Sequence, residues 1–434
     1  MRIRKVRIFF GGAVLALIAG ATAAAGTTNQ APAAEQPAAQ AETVALEDLV
    51  REAVAKNPAI QSAQRKAEAV RHRVPQARAL PDPKVGVGWA GNPAPFSVQR
   101  GDSSSSRVIS ATQDLPFPVK LKLRGQIADR EAEAAWWEYE ATRRRVVADV
   151  KTAFYEYFFY EKAIANTQKN QDLLQKLTKI AEARYQVGKG IQQDVLRAQV
   201  ELSTLLQRLT VLEQQSKTAR VRLNTLLLRD PEAPLGPPSS FEQAKLDQSL
   251  EALYQLAKAN DTGLQREQRV IERNQYAVNL ARKEYYPDFG VGYSYQQRPF
   301  LPDMHGVTVA LNIPIFYKSK QREAVRERSE ELAAARLSQQ DRETTLFFQV
   351  KEQYLAARAS EDLIKLYSDA VVPQASLALE SSMAAYQVGT VDFLTMLSNF
   401  ITVLDYEIGY YRELANYQIA LARLEPLVGA ELTK

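Results

Sequence analysis

One order of landmarks occurs twice in this sequence, about 200 residues apart, and any fold must accommodate both copies. Gly86-Val87-Gly88 matches Gly290-Val291-Gly292, and Pro116 matches Pro314. Val150-Lys151 matches Val350-Lys351, and Tyr185-Gln186-Val187-Gly188 matches Tyr386-Gln387-Val388-Gly389. Chance could give one such match but hardly four in order. The duplication predicts two structural repeats, over residues 44–233 and 246–434. They are joined by a linker, 234–245, and the breaker-rich run from Asp230-Pro231 to Pro237-Pro238 marks the passage between the copies.

Each copy reads as helix, two short alternating segments, a very long helix and a returning helix. In the first copy the opening helix runs from Leu46 to Ala79 and the alternating segments cover Lys84–Trp89 and Arg107–Gln113. The long helix then reaches Gly188, and the last runs from Ile191 to Leu228. In the second copy the opening helix spans Ser249–Tyr285 and the segments start at Phe289 and Val307. The long helix covers Lys318–Ala384, and the last runs from Asp392 to Leu427.

The alternating segments predict β-strands. Phe289, Val291, Tyr293 and Tyr295 share one face, opposite Gly290, Gly292, Ser294 and Gln296; Val307, Val309, Leu311 and Ile313 alternate in the same way. A transmembrane barrel turns such an apolar face to lipid and the small polar face to water, and Trp89, Tyr293 and Tyr295 suit the lipid interface. A half-buried soluble hairpin has the same pattern. Four strands cannot close a barrel, and open edges are not tolerated in lipid, so a membrane reading requires several chains to share one sheet. Two chains would bring eight strands and three would bring twelve, and the pattern alone leaves that choice open.

The stretch from Lys318 to Ala384 contains no glycine and only one proline, Pro373. At ~1.5 Å per residue it spans on the order of 100 Å, too long for one helix of a globular core. Its apolar positions, among them Leu332, Leu346, Val350 and Leu363, mark one side. Such a helix is a stave of a helical barrel or part of a coiled coil, and a rod-shaped adhesin is the structural alternative. The dense aromatic run Phe154, Tyr155, Tyr157, Phe158, Phe159 and Tyr160 is expected to pack between helices.

The first residues read as an export signal, 1–25, followed by an Ala/Pro/Gln-rich linker, 26–43. Arg2, Arg4, Lys5 and Arg7 precede an apolar run from Ile8 to Ala19, and Ala21-Thr22-Ala23 and Ala23-Ala24-Ala25 offer cleavage sites. An uncleaved inner-membrane anchor is the alternative, though the run is short of the ~20 residues of a spanning helix. Loss of those four positive charges would take the formal net charge of +5 to about +1, and no basic run with interleaved aromatics suggests nucleic-acid binding. There is no cysteine, which excludes thiol catalysis, disulfides and Cys-ligated metals. His72 and His305 lie far apart and the four methionines are scattered, so neither a metal site nor a cofactor is expected. No Ser-His-Asp pattern, HExxH or glycine-rich phosphate loop suggests an enzyme.

The signal sequence, the duplicated helix–hairpin–helix–helix order and the paired Tyr-Gln-Val-Gly turns resemble the TolC family of outer-membrane efflux proteins. Leu80-Pro81-Asp82-Pro83 and Pro116-Phe117-Pro118-Val119-Lys120 look like its heavy-metal efflux (CzcC/CusC-like) branch. The resemblance covers nearly the whole chain beyond the leader. It implies a mainly α fold with a small transmembrane β part: a homotrimer whose four strands per chain share one β-barrel in Gram-negative outer-membrane lipid, continued by a long α-helical barrel across the periplasm. It also implies a periplasmic adaptor and an inner-membrane RND-type pump as partners, and export of metal cations or small toxic compounds. The exit duct of a type I protein secretion system is the alternative within transport.

The resemblance directs attention to the two Val-Gly turns, where otherwise unbroken helices break. It implies adaptor-docking tips at Val187, Gly188, Lys189 and Gly190 and at Val388, Gly389 and Thr390. It further implies a periplasmic gate at Asp392, with Tyr386 and Asp194. Helix N-terminal charge is the plain reading of both aspartates. Family gates often carry an arginine soon after the second turn; here Val391 follows Thr390, and Lys189 or Arg184 are possible partners instead.

Overall fold

A computed structural model describes residues 43–91, 98, 105–298 and 301–433. The expected signal peptide lies outside the described residues, as does nearly all of the linker that follows it. The elements are α1 (Leu46–Lys56), α2 (Pro58–Arg71), α3 (Arg73–Arg78), β1 (Lys84–Ala90), β2 (Ser106–Leu115), α4 (Pro118–Gln186) and α5 (Gln192–Leu226). They are followed by α6 (Leu250–Asn260), α7 (Thr262–Lys283), β3 (Asp288–Gln297), β4 (Met304–Asn312), α8 (Gln321–Leu366), α9 (Val372–Val388) and α10 (Phe393–Val428).

Each opening helix, expected to be continuous, is interrupted at matching places. Asn57 is held extended by the proline after it, and its side chain accepts a hydrogen bond from Ala59 N. Asp261 occupies the same position in the second copy with no proline. Its carboxylate caps Leu264 N at 2.8 Å and pairs with Arg342. In both copies a short polar side chain that can cap a new helix ended the old one.

The long helices hold their length. α4 has 69 residues, about 100 Å. α8 runs into α9 through a single π-helical turn, Tyr367–Val371, placed just before Pro373. Proline lacks an N–H and crowds the preceding turn, and a wider turn absorbs that misfit without a break.

The four strands form one antiparallel sheet in the order β1-β2-β3-β4. The two hairpins join through β2 and β3, with Ile109 opposite Tyr295 and Leu115 opposite Phe289. The register gathers Val85, Val87, Ile109, Phe289, Val291, Tyr293, Val307, Val309 and Leu311 on one face. That face is open to solvent in a single chain; Val85 and Val307 are 75% and 76% exposed. The other face carries Gly86, Gly88, Ser110, Thr112, Gly290, Gly292, Ser294 and Thr308. β1 and β4 each keep one unpaired edge.

The sheet joins the helices at a tight corner. Lys120, 1% exposed, donates to Tyr286 O and Asp288 Oδ1, both at 2.9 Å, and lies 3.1 Å from Glu284. Phe117 stacks on Tyr286 with centroids 5.1 Å apart, and Phe117 N donates to Asp288. Midway along α4, Phe154, Tyr155, Tyr157, Phe158 and Phe159 are buried and Tyr160 partly so, because α1, α5 and α10 all pack against that helix. Phe241 from the inter-repeat segment closes over Tyr155 and Phe158. Val44 pairs with Pro238, which ties the start of the first copy to the same segment.

Candidate functional site

The two tips are built by one local device. At the end of α4, Gly188 takes a left-handed conformation (φ +73°), Gly188 N donates to Tyr185 O and Lys189 N to Arg184 O. At the end of α9, Gly389 (φ +84°) does the same, with Gly389 N on Tyr386 O and Thr390 N on Ala385 O. Both are Schellman caps, which need a residue without Cβ strain at the left-handed position. Thr390 Oγ1 also donates to Ala385 O, at 3.1 Å. Gly190 is needed for space: a Cβ there would lie 3.2 Å from Tyr185 N.

The tips present apolar side chains to solvent. Val187 and Val388 are 68% and 77% exposed, and Tyr185, Ile191 and Leu394 are open beside them. Exposed valines at the ends of otherwise amphipathic rods form an unsatisfied apolar patch.

The two aspartates are not equivalent. Asp392 is the N-cap of α10: its Oδ1 accepts from Thr395 N at 3.3 Å, and hydrogen bonding from the Thr395 side chain, then from its backbone, holds the carboxyl below the usual aspartate value. Asp194 sits three residues beyond the corresponding cap position, which in α5 is Ile191 and has no side-chain cap bond. Burial, and then the nearby charge of Asp392, push the Asp194 carboxyl upward, against the opposing pull of Arg184. The structure therefore brings Asp194 and Asp392 into one electrostatic neighbourhood from two different helix positions.

Arg184 has a role that sequence pattern did not assign. Its guanidinium lies 4.6 Å from the centre of the Tyr386 ring and donates to the Tyr386 carbonyl. Nη2 also reaches Lys189 O at 3.4 Å. One side chain from the first tip thus clamps the backbone and ring of the second. Tyr386 is buried, packs edge-on against Phe393 at 5.6 Å, and among the described residues its hydroxyl has no hydrogen-bond partner. Burial raises its phenol pKa, and Asp194 adds to that shift. Among the described residues no ion pair joins Arg184 or Lys189 to either aspartate. The sequence suggests Arg184 only as a substitute partner for the gate carboxylates; its contacts are instead with the ring and carbonyl of Tyr386.

Farther along the rods, burial and then the opposing pulls of Arg197 and Asp405 leave Glu201 with a raised pKa, and Arg208 pairs with Asp405 at 2.8 Å. His72 lies between α2 and α3 and His305 in β4. Among the described residues no group of three or more His, Asp or Glu side chains is placed to hold a metal ion. Among the same residues no helix is long and apolar enough to cross a membrane.

With this geometry in hand, comparison with known families is decisive. The model of the outer membrane efflux protein family matches residues 49–227 and again 253–430, one match per repeat. The chain belongs to the outer membrane efflux protein family. Among curated relatives it is 24% identical over 328 residues to the pyoverdine export outer membrane protein OpmQ of Pseudomonas putida, covering 69% of this chain and 65% of that protein. It is 25% identical over 264 residues to the outer membrane efflux protein BepC of Brucella suis, covering 58% and 56%. The chain thus spans less than two thirds of either relative. Among solved structures the CusC channel superposes with a TM-score of 0.78 at 14% identity, covering 91% of this chain and 95% of that one. The outer membrane protein VceC of Vibrio cholerae gives 0.75 at 16% identity, covering 89% and 96%. These superpositions carry the fold: long helices, two repeats and a small antiparallel sheet, as the sequence predicted. As a member of this family the protein is placed in the outer membrane of a Gram-negative bacterium, with the channel extending into the periplasm.

Proposed function

We propose that this chain is one subunit of a homotrimeric exit duct in a tripartite efflux pump, working with a periplasmic adaptor and an inner-membrane RND-type pump. The observation that carries the reading is the four-stranded sheet, apolar on one exposed face, small and polar on the other, open at both edges and continuous with rods about 100 Å long. Three copies would join β4 to β1 of the next, close the edges, turn the apolar face to lipid and enclose a polar lumen. The duct is passive on this reading, and the pump supplies the energy.

The tips divide the labour. Val187, Gly188, Lys189 and Gly190, with Val388, Gly389 and Thr390, form the adaptor-docking surface, which supplies the partner their exposed apolar side chains lack. Asp392, repeated around the trimer axis, makes a carboxylate ring that favours cations, with Tyr386 and Asp194 behind it. Arg184 holds the two tips of one subunit together and so biases the gate toward closure.

Metal cations are the cargo suggested by Leu80-Pro81-Asp82-Pro83 and Pro116-Phe117-Pro118-Val119-Lys120. A relative named for pyoverdine export keeps small organic cargo alongside them. Both differ from the polypeptide cargo of a type I protein secretion duct, a reading that the relatives named above do not favour. The test is a toxicity panel of metal salts and organic compounds on a strain lacking the gene. Sensitivity to one class, reversed by restoring the wild-type chain, is expected; unchanged sensitivity to every compound refutes the efflux reading.

A further inference from the structure

The helices nearest the sheet form an open row. α2 packs on α4, α4 on α7 and α7 on α8, and within one chain the row does not close on itself. The junction between the repeats, α4 against α7, is laced by a crossed ionic quartet. Arg130 pairs with Glu133 on its own helix at 2.5 Å and reaches Glu272 at 3.3 Å. Arg269 pairs with Glu272 on its own helix at 3.0 Å and reaches Glu133 at 3.0 Å. Gln268 donates to Glu272 at 3.2 Å and completes the arrangement.

Each half of this quartet has a duplicate on the outer flanks of the row. The displacement that takes Gly290 to Gly86 takes Gln268, Arg269 and Glu272 of α7 to Gln64, Arg65 and Glu68 of α2. There Arg65 pairs with Glu68 at 3.0 Å and Gln64 donates to Glu68 at 3.3 Å, the same local contacts. The displacement that takes Pro116 to Pro314 takes Arg130 and Glu133 of α4 to Arg328 and Glu331 of α8, which pair at 2.8 Å. Each duplicate lacks the crossing partners. Arg65 is 82% exposed whereas Arg269, its counterpart inside the row, is 28% exposed. By contrast the Lys120 corner is not duplicated: Leu80 and Lys84 stand where Glu284 and Asp288 stand in the other repeat.

We infer that the α8 flank of one copy docks on the α2 flank of the next, through the crossed pairs Arg65–Glu331 and Glu68–Arg328. The occupant is a second copy of this chain because it alone carries both halves in the register that already interlocks at α4 and α7. The charges are complementary: each flank offers one cation and one anion at i, i+3 spacing, in an order that crosses when the helices lie side by side. The inference deepens the proposed ring of subunits and rests on it.

The absence of cysteine from the chain permits a direct test. The variant carrying both Arg65→Cys and Glu331→Cys is treated in detergent with a short thiol-to-thiol crosslinker, and covalent mass is read on a denaturing gel beside each single variant. Light scattering gives the size of the untreated protein. A ladder to multiples of the chain mass in the double variant, absent from both singles, is the expected result. An untreated oligomer whose alkylated thiols give no ladder overturns this contact and leaves the ring standing; a monomer at all concentrations overturns both. The second measurement is heat dissociation of the oligomer. Arg65→Glu is expected to lower the dissociation temperature, and adding Glu331→Arg to restore part of the loss; a double variant no better than the single overturns the pairing.

Discussion

Replacing Arg184 by alanine removes a charged side-chain clamp between the two tips of a subunit. Two contacts are lost together: the guanidinium stack on Tyr386 and the hydrogen bond to the Tyr386 carbonyl. A cation–π contact at a partly exposed site contributes about 1 kcal/mol, and a hydrogen bond from a charged donor about 1.5 kcal/mol at the exposed end of its range. Together they bias the joined tips by roughly 2–3 kcal/mol, about 30- to 150-fold in the equilibrium between joined and separated tips. If separation of the tips opens the duct, the open fraction rises in Arg184→Ala by up to that factor. Arg184→Lys retains charge but not the planar stack, and falls between. Single-channel recording in planar bilayers reads the open fraction directly. Tyr386→Phe is the control, because its hydroxyl is buried without a partner among the described residues and its removal leaves ring and carbonyl in place. A folded Arg184→Ala oligomer with the wild-type open fraction would refute the clamp. So would a Tyr386→Phe channel as altered as Arg184→Ala, since the hydroxyl would then be the working group.

Three further perturbations test other parts of the structure. Asp392→Asn keeps an oxygen for the Thr395 amide and removes only the charge, so helix content is expected to hold while cation selectivity, measured as reversal potential in a salt gradient, falls; equal selectivity removes Asp392 from the gate. Asp194 has a folded pKa above its ordinary value, so its contribution to stability is complete below that ordinary value and is lost as pH rises through the raised one. Asp194→Asn should therefore slow amide exchange around residues 185–196 at neutral pH and flatten its dependence on pH just above the ordinary aspartate range; faster exchange would contradict this. Lys120→Met leaves Glu284 and Asp288 facing each other at the corner below the sheet and is expected to destabilise it by about 2–3 kcal/mol, less than a fully buried pair because both acids are partly exposed. Denaturant melts of the oligomer measure this, and an unchanged midpoint refutes it.

Much of the fold was legible because its signals are periodic and repeated. Alternation over Phe289–Gln296 gave a strand with two distinct faces, and the register places the matching apolar residues of β2 and β4 beside it. The unbroken run after Lys318 gave a rod, which Pro373 widened by one π turn without breaking. The opening helices were read as continuous because Asn57 and Asp261 are weak helix breakers by propensity; their capping bonds, visible only in place, divide each helix. The two Gly turns were legible from the duplicated Tyr-Gln-Val-Gly motif, because a glycine suits the left-handed cap that ends each helix. The pairing of Asp194 with Asp392 was approximate, because the motif counts residues from the turn and a helix cap is fixed by backbone geometry.

By itself the sequence determined the repeat, the strands, the rods and the places where the rods turn, because period, breaker residues and duplication are local properties of a chain. It also determined that four strands are too few to close a barrel. Only the tertiary structure decided which long-range neighbours meet: Arg184 on Tyr386, Lys120 at the corner of the sheet, and the α4–α7 quartet whose halves recur on the outer flanks without their crossing partners. Those contacts join residues far apart in the chain, and no local periodicity encodes them. They arise when two copies of one unit are packed side by side and the second fills one flank of the first, leaving the other flank open.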